Sequence, residues 1–171
     1  ALTVAKELGV QPESSTKLRV EMPGGRQETF VVNQVKVIDE TYNASPESVL
    51  AALDLLVRSS GRHFVVIGLM MELGTQSIDL HSMIAKMIVN LDIEGLLIVG
   101  ESMEADAMKN IAQDLPYCMI CNTVDDAFAV LNAWLMPGDS VLIKASRSIK
   151  LERLVKSIKD SGFIMSRNPI P

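Results

Sequence analysis

A chain of 171 residues with 48% hydrophobic content suits one domain that can bury a sizeable core. Its net charge of −5 leaves no basic stripe, which argues against nucleic acid as the main partner. No apolar run approaches the roughly 18 residues of a membrane span and no signal-peptide pattern opens the chain, so a cytoplasmic setting is expected.

The first 30 residues stand apart from the rest. Leu2–Leu8 reads as the last turns of a helix ended by Gly9, and residues 11–25 are polar and turn-rich, with Pro12, Pro23 and the Gly24-Gly25 pair. Residues 1–25 are expected to be the tail of a preceding domain plus a linker, and 26–171 the domain proper. From Lys36 onward, strand-length apolar runs alternate with helical patterns. Strands are predicted at 36–39, 63–68, 95–99, 117–121 and 140–144, and helices at 46–59, 78–91, 103–114, 124–135 and 149–161. Val49, Leu50, Leu53, Leu56 and Val57 mark one apolar helix face, with Gly61 beyond its end as a C-terminal cap. Runs such as 64–67 and 96–99 are apolar on both faces, as in a sheet covered on both sides. Five β-α units in succession predict a doubly wound, mostly parallel, Rossmann-like α/β sheet. With aromatics at 4% and ten methionines, its core is aliphatic.

Polar groups gather where predicted strands end. Residues 39–45 (Asp-Glu-Thr-Tyr-Asn-Ala-Ser) crowd two carboxylates, two aliphatic hydroxyls, a phenol and an amide into one turn, and Ser45 and Pro46 suit a helix start. In open α/β sheets, ligands bind at this end of the strands. Residues 68–74 (Gly-Leu-Met-Met-Glu-Leu-Gly) follow the next strand; they lack the G-x-x-x-x-G-K-[ST] pattern of a phosphate loop, as does the whole chain. Lys144, Ser146, Arg147 and Ser148 combine cations, hydroxyls and a helix start, which suits a carboxylate or phosphate; Ser148 could equally be a helix cap. Arg26 is either a solvated surface residue or an arm over a bound ligand. His81 reads as a packing or capping residue. Cys118 and Cys121 fall in what looks like a buried strand and read as inert thiols of a reducing compartment; zinc would need two more ligands, and His63 and His81 are far apart in sequence. No metal cluster, catalytic triad or paired-carboxylate site is apparent.

In order, Gly25-Arg26, Asp39–Pro46, Gly68–Gly74, His81, Pro137-Gly-Asp139 and Ile143–Arg147 resemble the landmarks of the C-terminal domain of the Mur ligases, over nearly everything from Gly25 to Asp160. The Tyr-Asn-Ala and Met-Glu-Leu-Gly pieces are similar to the branch that joins D-alanyl-D-alanine (D-Ala-D-Ala) to a UDP-N-acetylmuramoyl-tripeptide in peptidoglycan precursor synthesis. The resemblance implies an ATP-dependent amide ligase in which a central domain, expected upstream of Ala1, holds most of the ATP and Mg²⁺ contacts. It implies nucleotide contacts at Arg26, Glu40, Tyr42 and Asn43, and contacts to the incoming dipeptide or transferred phosphate at Lys144, Ser146, Arg147 and Ser148. Expected partners are UDP-muramoyl-peptide, D-Ala-D-Ala and the ligase's own central and N-terminal domains. No catalytic residue is expected in this chain, which alone should not catalyse.

The sequence departs from the family pattern at Glu40 (usually Asp), Ser45 (Asn), Leu69 (Asp) and Ala145 (Gly). The competing readings are a binding module that has lost turnover, which Leu69 motivates, a sibling ligase adding another amino acid, and an unrelated flavodoxin-like anion binder. The sibling's D-N-P-R signature is absent.

Overall fold

The computed structural model describes Gly25 and residues 27–163. Residues 1–24 of the expected 1–25 tail, together with Arg26 and residues 164–171, lie outside the described residues. Among the described residues six strands form one sheet: β1 (Glu28–Val32), β2 (Val35–Glu40), β3 (His63–Gly68), β4 (Gly95–Val99), β5 (Tyr117–Cys121) and β6 (Ser140–Lys144). The order across the sheet is β1-β2-β6-β3-β4-β5, parallel throughout except for the antiparallel β1–β2 pair. The α/β expectation holds, and four of the five predicted strands match residue for residue. The correction is β1, within and just beyond the stretch read as standing apart. Its Glu28, Thr29 and Val31 are exposed, so it carries no two-sided apolar run. Asn33 and Gln34 turn it into β2 with φ of 50° and 66°, the left-handed pair a tight hairpin needs, without the glycine that usually announces one.

Among the described residues five helices cover the sheet: α1 (Pro46–Val57), α2 (Ser77–Asn90), α3 (Met103–Ala112), α4 (Val124–Trp134) and α5 (Glu152–Ser161). Strand residues alternate between two cores. Ile38, Val65, Ile67, Leu96, Ile98 and Leu142 pack under α1, α2 and α3. Val37, Phe64, Val66, Leu97, Val141 and Ile143 pack under α4 and α5 on the other face. Fully buried leucines and isoleucines such as Leu53, Ile84 and Leu142 each stabilise by about 1.5–3 kcal/mol relative to exposure.

Every predicted helix differs from the observed one by one to three residues at one end or both, and two of the differences have a clear local cause. α1 stops at Val57, and Gly61 serves the following turn instead of capping the helix. A Cβ there would lie 1.9 Å from the Gly138 carbonyl oxygen, so two loops can touch only because the side chain is missing. α5 begins at Glu152, because residues 147–149 make a separate 3₁₀ turn that ends at Lys150 in the left-handed region, φ 59°. At the amino ends of the strands, Asp139 of the Pro-Gly-Asp turn accepts from Arg62 Nε (3.0 Å) and Nη2 (2.7 Å) and from the Met136 N–H (2.7 Å). Arg62 lies over the Phe64 ring, 5.0 Å from its centroid. The Asp139 hydrogen bonds push the Arg62 guanidinium above its ordinary value, against the opposing effect of burial.

Candidate functional site

The last of the described strands in sequence, β6, lies between β2 and β3, and this arrangement makes the site. The helices after β2 and β3 pack on one face and the helix after β6 on the other. The carboxyl end of β6 therefore sits where the chain leaves the sheet in opposite directions, the place where open α/β sheets form a ligand crevice.

Strand register carries two ionisable groups to that rung. Glu40 is paired with Lys144, and Lys144 with Ile67. Each lies two residues beyond a core member of the α1 face, Ile38 and Leu142, so both side chains turn toward the entry of α1. There the Lys144 ammonium donates to the Asn43 carbonyl at 2.9 Å and forms an ion pair with Glu40 Oε2 at 3.5 Å. The Lys144 side chain is 1% exposed and that of Glu40 16%. Burial holds the Lys144 ammonium below the usual lysine value, and Glu40 offsets only part of that. Glu40 Oε1 accepts from the Gln27 N–H at 3.2 Å, and Glu40 also lines a cleft of about 620 Å³ along α1 with Gln27, Thr29, Ser48 and Leu55.

The turn between these groups and α1 is internally fixed. Asp39 points to the opposite face, is 4% exposed and accepts from the Thr41 N–H (3.0 Å) and hydroxyl (2.7 Å). Of the two adjacent carboxylates, only Glu40 therefore faces the crevice. The Tyr42 N–H donates to the Gly25 carbonyl at 2.9 Å; a Cβ on Gly25 would lie 2.7 Å from Thr41 Oγ1, and φ is +79°. Ser45 caps α1 reciprocally with Ser48: the Ser48 N–H donates to Ser45 Oγ (3.4 Å) and the Ser45 N–H to Ser48 Oγ (2.9 Å). Across the crevice, the exposed Arg147 guanidinium lies 5.4 Å from the centre of the half-buried Tyr42 ring.

The third wall is the loop after β3. Gly68 faces β6 so closely that a Cβ would lie 2.7 Å from Ala145 Cβ and 2.9 Å from Ile149 Cγ2. The Ser146 N–H donates to the Leu69 carbonyl (3.3 Å), and Ser146 Oγ accepts from the Met71 N–H (3.0 Å). His81, 1% exposed, accepts the Met70 N–H at Nε2 (2.9 Å) and turns Nδ1–H to the Ser77 carbonyl (2.7 Å), the packing role its position suggests. Leu69 packs against the α1–α3 core, so the residue that departs from the family pattern serves packing here. Glu104, next to this loop, is held below the ordinary carboxylate value by its own backbone N–H, then by the Ser77 and Ser102 hydroxyls. The loop, Ser77, His81 and Glu104 line a depression of about 310 Å³.

The structure thus gathers Glu40, Tyr42, Asn43, Lys144, Ser146 and Arg147 at one sheet edge. Arg26 lies outside the described residues. Ser148 is exposed in the 3₁₀ turn and caps nothing: that turn's N-cap is Ser146 and that of α5 is Leu151, neither with a side-chain cap bond. Gln27 contributes a backbone N–H that the sequence gives no means of singling out. Cys118 and Cys121 are free and belong to opposite cores, three residues apart on β5; burial raises both thiols above the ordinary value. Because β5 is an edge strand, Cys118 is only half-buried, a correction to the buried-strand reading. Among the described residues no three His, Cys, Asp or Glu side chains converge as a metal site, and no helix is long and apolar enough to cross a membrane.

Comparison with known proteins agrees with this geometry. The profile of the family described as Mur ligase, glutamate ligase domain, matches residues 25–147. The UDP-N-acetylmuramoyl-tripeptide–D-alanyl-D-alanine ligase of Synechocystis sp. is 33% identical over 161 residues, covering 92% of this chain and 35% of that protein. The Mycobacterium leprae ligase of the same name is 35% identical over 156 residues, covering 81% and 30%. The chain spans about a third of the length of these relatives. Among solved structures, MurF ligase from Thermotoga maritima in complex with ADP is similar at a TM-score of 0.71 and 27% identity, covering 91% of this chain and 35% of that one. MurF from Acinetobacter baumannii is similar at a TM-score of 0.77 and 26% identity, covering 94% and 36%.

Proposed function

Because this chain belongs to the Mur ligase family, we propose that it serves as the nucleotide- and amine-facing part of an ATP-dependent ligase joining D-Ala-D-Ala to a UDP-N-acetylmuramoyl-tripeptide. The observation that carries the reading is the convergence of Glu40, the Tyr42–Arg147 stack and the Ser146 loop at the point where β2, β6 and β3 end. In this reading residues 1–25 join the domain to a preceding ATPase domain, which works with it.

Glu40, Tyr42 and Asn43, with Arg26, would face the nucleotide. A carboxylate suits a ribose hydroxyl pair, and a tyrosine ring backed by a guanidinium offers a planar surface beside it. ADP in the Thermotoga maritima structure supports a nucleotide near a fold of this kind. Ser146, Arg147 and Ser148, which follow Lys144, would lie toward the dipeptide carboxylate or the transferred phosphate, where the exposed guanidinium can pair with an anion. ATP, when bound, supplies the phosphoryl group that activates a carboxylate for amide formation. The described residues offer no carboxylate cluster for Mg²⁺, so the ion would arrive with the phosphates and be held by the ATPase domain. The work of this chain is then positioning: one charged edge for the nucleotide, one for the incoming amine, both on rigid strand ends.

The test is phosphate release from ATP by the complete ligase with UDP-muramoyl-tripeptide and D-Ala-D-Ala. Release that requires both substrates, with Glu40→Ala raising the KM for ATP about tenfold, is expected. An intact, folded ligase that releases none with any amino acid or dipeptide would overturn the reading in favour of a non-catalytic binding module.

A further inference from the structure

Lys144 stands at a strand end among groups that face the crevice, yet its chemistry points inward. Its side chain is 1% exposed, its ammonium is anchored on the Asn43 carbonyl at 2.9 Å, and its only ion-pair partner among the described residues is Glu40 at 3.5 Å. With its side chain 1% exposed, the ammonium is closed off from an anion arriving through the crevice. Glu40, by contrast, is partly open and opens onto the cleft along α1. The same cation ties together three things: the end of β6, the end of β2 and the turn that enters α1.

We propose that Lys144 is a positioning residue: its buried ammonium, braced on the Asn43 carbonyl, fixes the Glu40 carboxylate in its nucleotide-facing orientation and does not itself touch the amine substrate. This rests on the ligase reading above and reassigns one residue that its position alone would give to the substrate. Without the ammonium, Glu40 would stand half-buried beside a carbonyl that has lost its donor, with the Gln27 N–H its one remaining hydrogen-bond donor among the described residues. The ion pair falls on directly paired rungs of adjacent strands, so the backbone sets its geometry and little is left to side-chain chance.

Steady-state kinetics of the complete ligase separate the roles. Lys144→Met is expected to raise the KM for ATP about tenfold while the KM for D-Ala-D-Ala stays within about twofold. A rise in the dipeptide KM instead, or no change in either, would overturn the proposal. A second measurement needs no variant: acetylation of the wild-type protein with an N-hydroxysuccinimide ester, read by mass spectrometry. Lys144 should stay unmodified while the exposed Lys150 and Lys156 react. Labelling of Lys144 at the pace of Lys150, with protection by D-Ala-D-Ala, would sink it even if Lys144→Met fails to fold. Failure of the ligase reading shows in the wild type as absent turnover; failure of this proposal shows only in the variant and the labelling.

Discussion

Lys144 pays for its position in protonation free energy, and the sign of that cost can be checked. Its folded value is lowered by burial, so between that value and the ordinary one the unfolded chain binds more protons than the folded chain. Stability from this group is therefore smallest at low pH and grows as pH rises through the window. Urea unfolding of wild type and Lys144→Met from about pH 8 to about pH 10.5 should show the difference moving in favour of wild type. A flat or opposite trend would mean the ammonium is not buried in solution. Gly68 tests the neighbouring contact. Gly68→Ala puts a methyl 2.7 Å from Ala145 Cβ and should cost about 1–3 kcal/mol in chemical denaturation. Adding Ala145→Gly should return part of it; strictly additive losses would show that the two residues do not meet.

Helix and hairpin ends carry the next set of expectations. Ser45→Ala removes one half of the reciprocal cap of α1 and should destabilise by about 1 kcal/mol, seen as a lower denaturation midpoint with an unchanged slope. Gln34 sits at φ 66° in the β1–β2 turn, where any side chain is strained. Gln34→Gly should stabilise by ~0.5–1 kcal/mol, because its carbonyl bond from the Gly138 N–H is backbone and survives the change. Asn33 would not tolerate the same substitution as well, since its side chain accepts the Phe163 N–H at 2.9 Å. These elements also show what a linear reading can and cannot reach. β3 to β6 were legible because residues such as Val65, Val66, Leu96 and Leu97 are apolar on both faces, a pattern a helix layer on each side requires. β1 was not, because half of it faces outward and its turn uses Asn-Gln. The start of α5 was misplaced because Lys150 breaks the helix through its backbone conformation, which its side chain does not announce.

Across the whole molecule, the two ends of the sheet divide the labour. The amino end holds the Arg62–Asp139 pair under the aromatic side chains of Phe64, Tyr117 and Trp134, while the carboxyl end holds the candidate site. Asp139→Ala removes the acceptor of Arg62 Nε and of the Met136 N–H, leaving Arg62 Nη2 on the Trp134 carbonyl, and should cost about 3 kcal/mol of stability; on the ligase reading, KM values stay unchanged below the new melting temperature. A raised KM would mean the two ends are coupled. The same division explains how far the site could be read in advance. That Glu40 and Lys144 each end a strand is local information; that those strands are neighbours is not, because strand order arises from how helices pack on the two faces. The pairing of these charges, and with it the inward turn of Lys144, became visible only with the sheet assembled.

The position of β6 also has a consequence in time. It follows every other strand among the described residues, yet it is hydrogen-bonded to both β2 and β3 near the sheet centre. During synthesis, the β1–β2 hairpin and the β3–β5 ladder must wait as separate pieces, each with an open edge, until residues 140–144 leave the ribosome and dock between them. Such late, long-range closure favours slow folding and leaves sticky edges exposed meanwhile. Because the crevice straddles this closing strand, a nascent chain acquires its candidate site in the same event that seals its sheet.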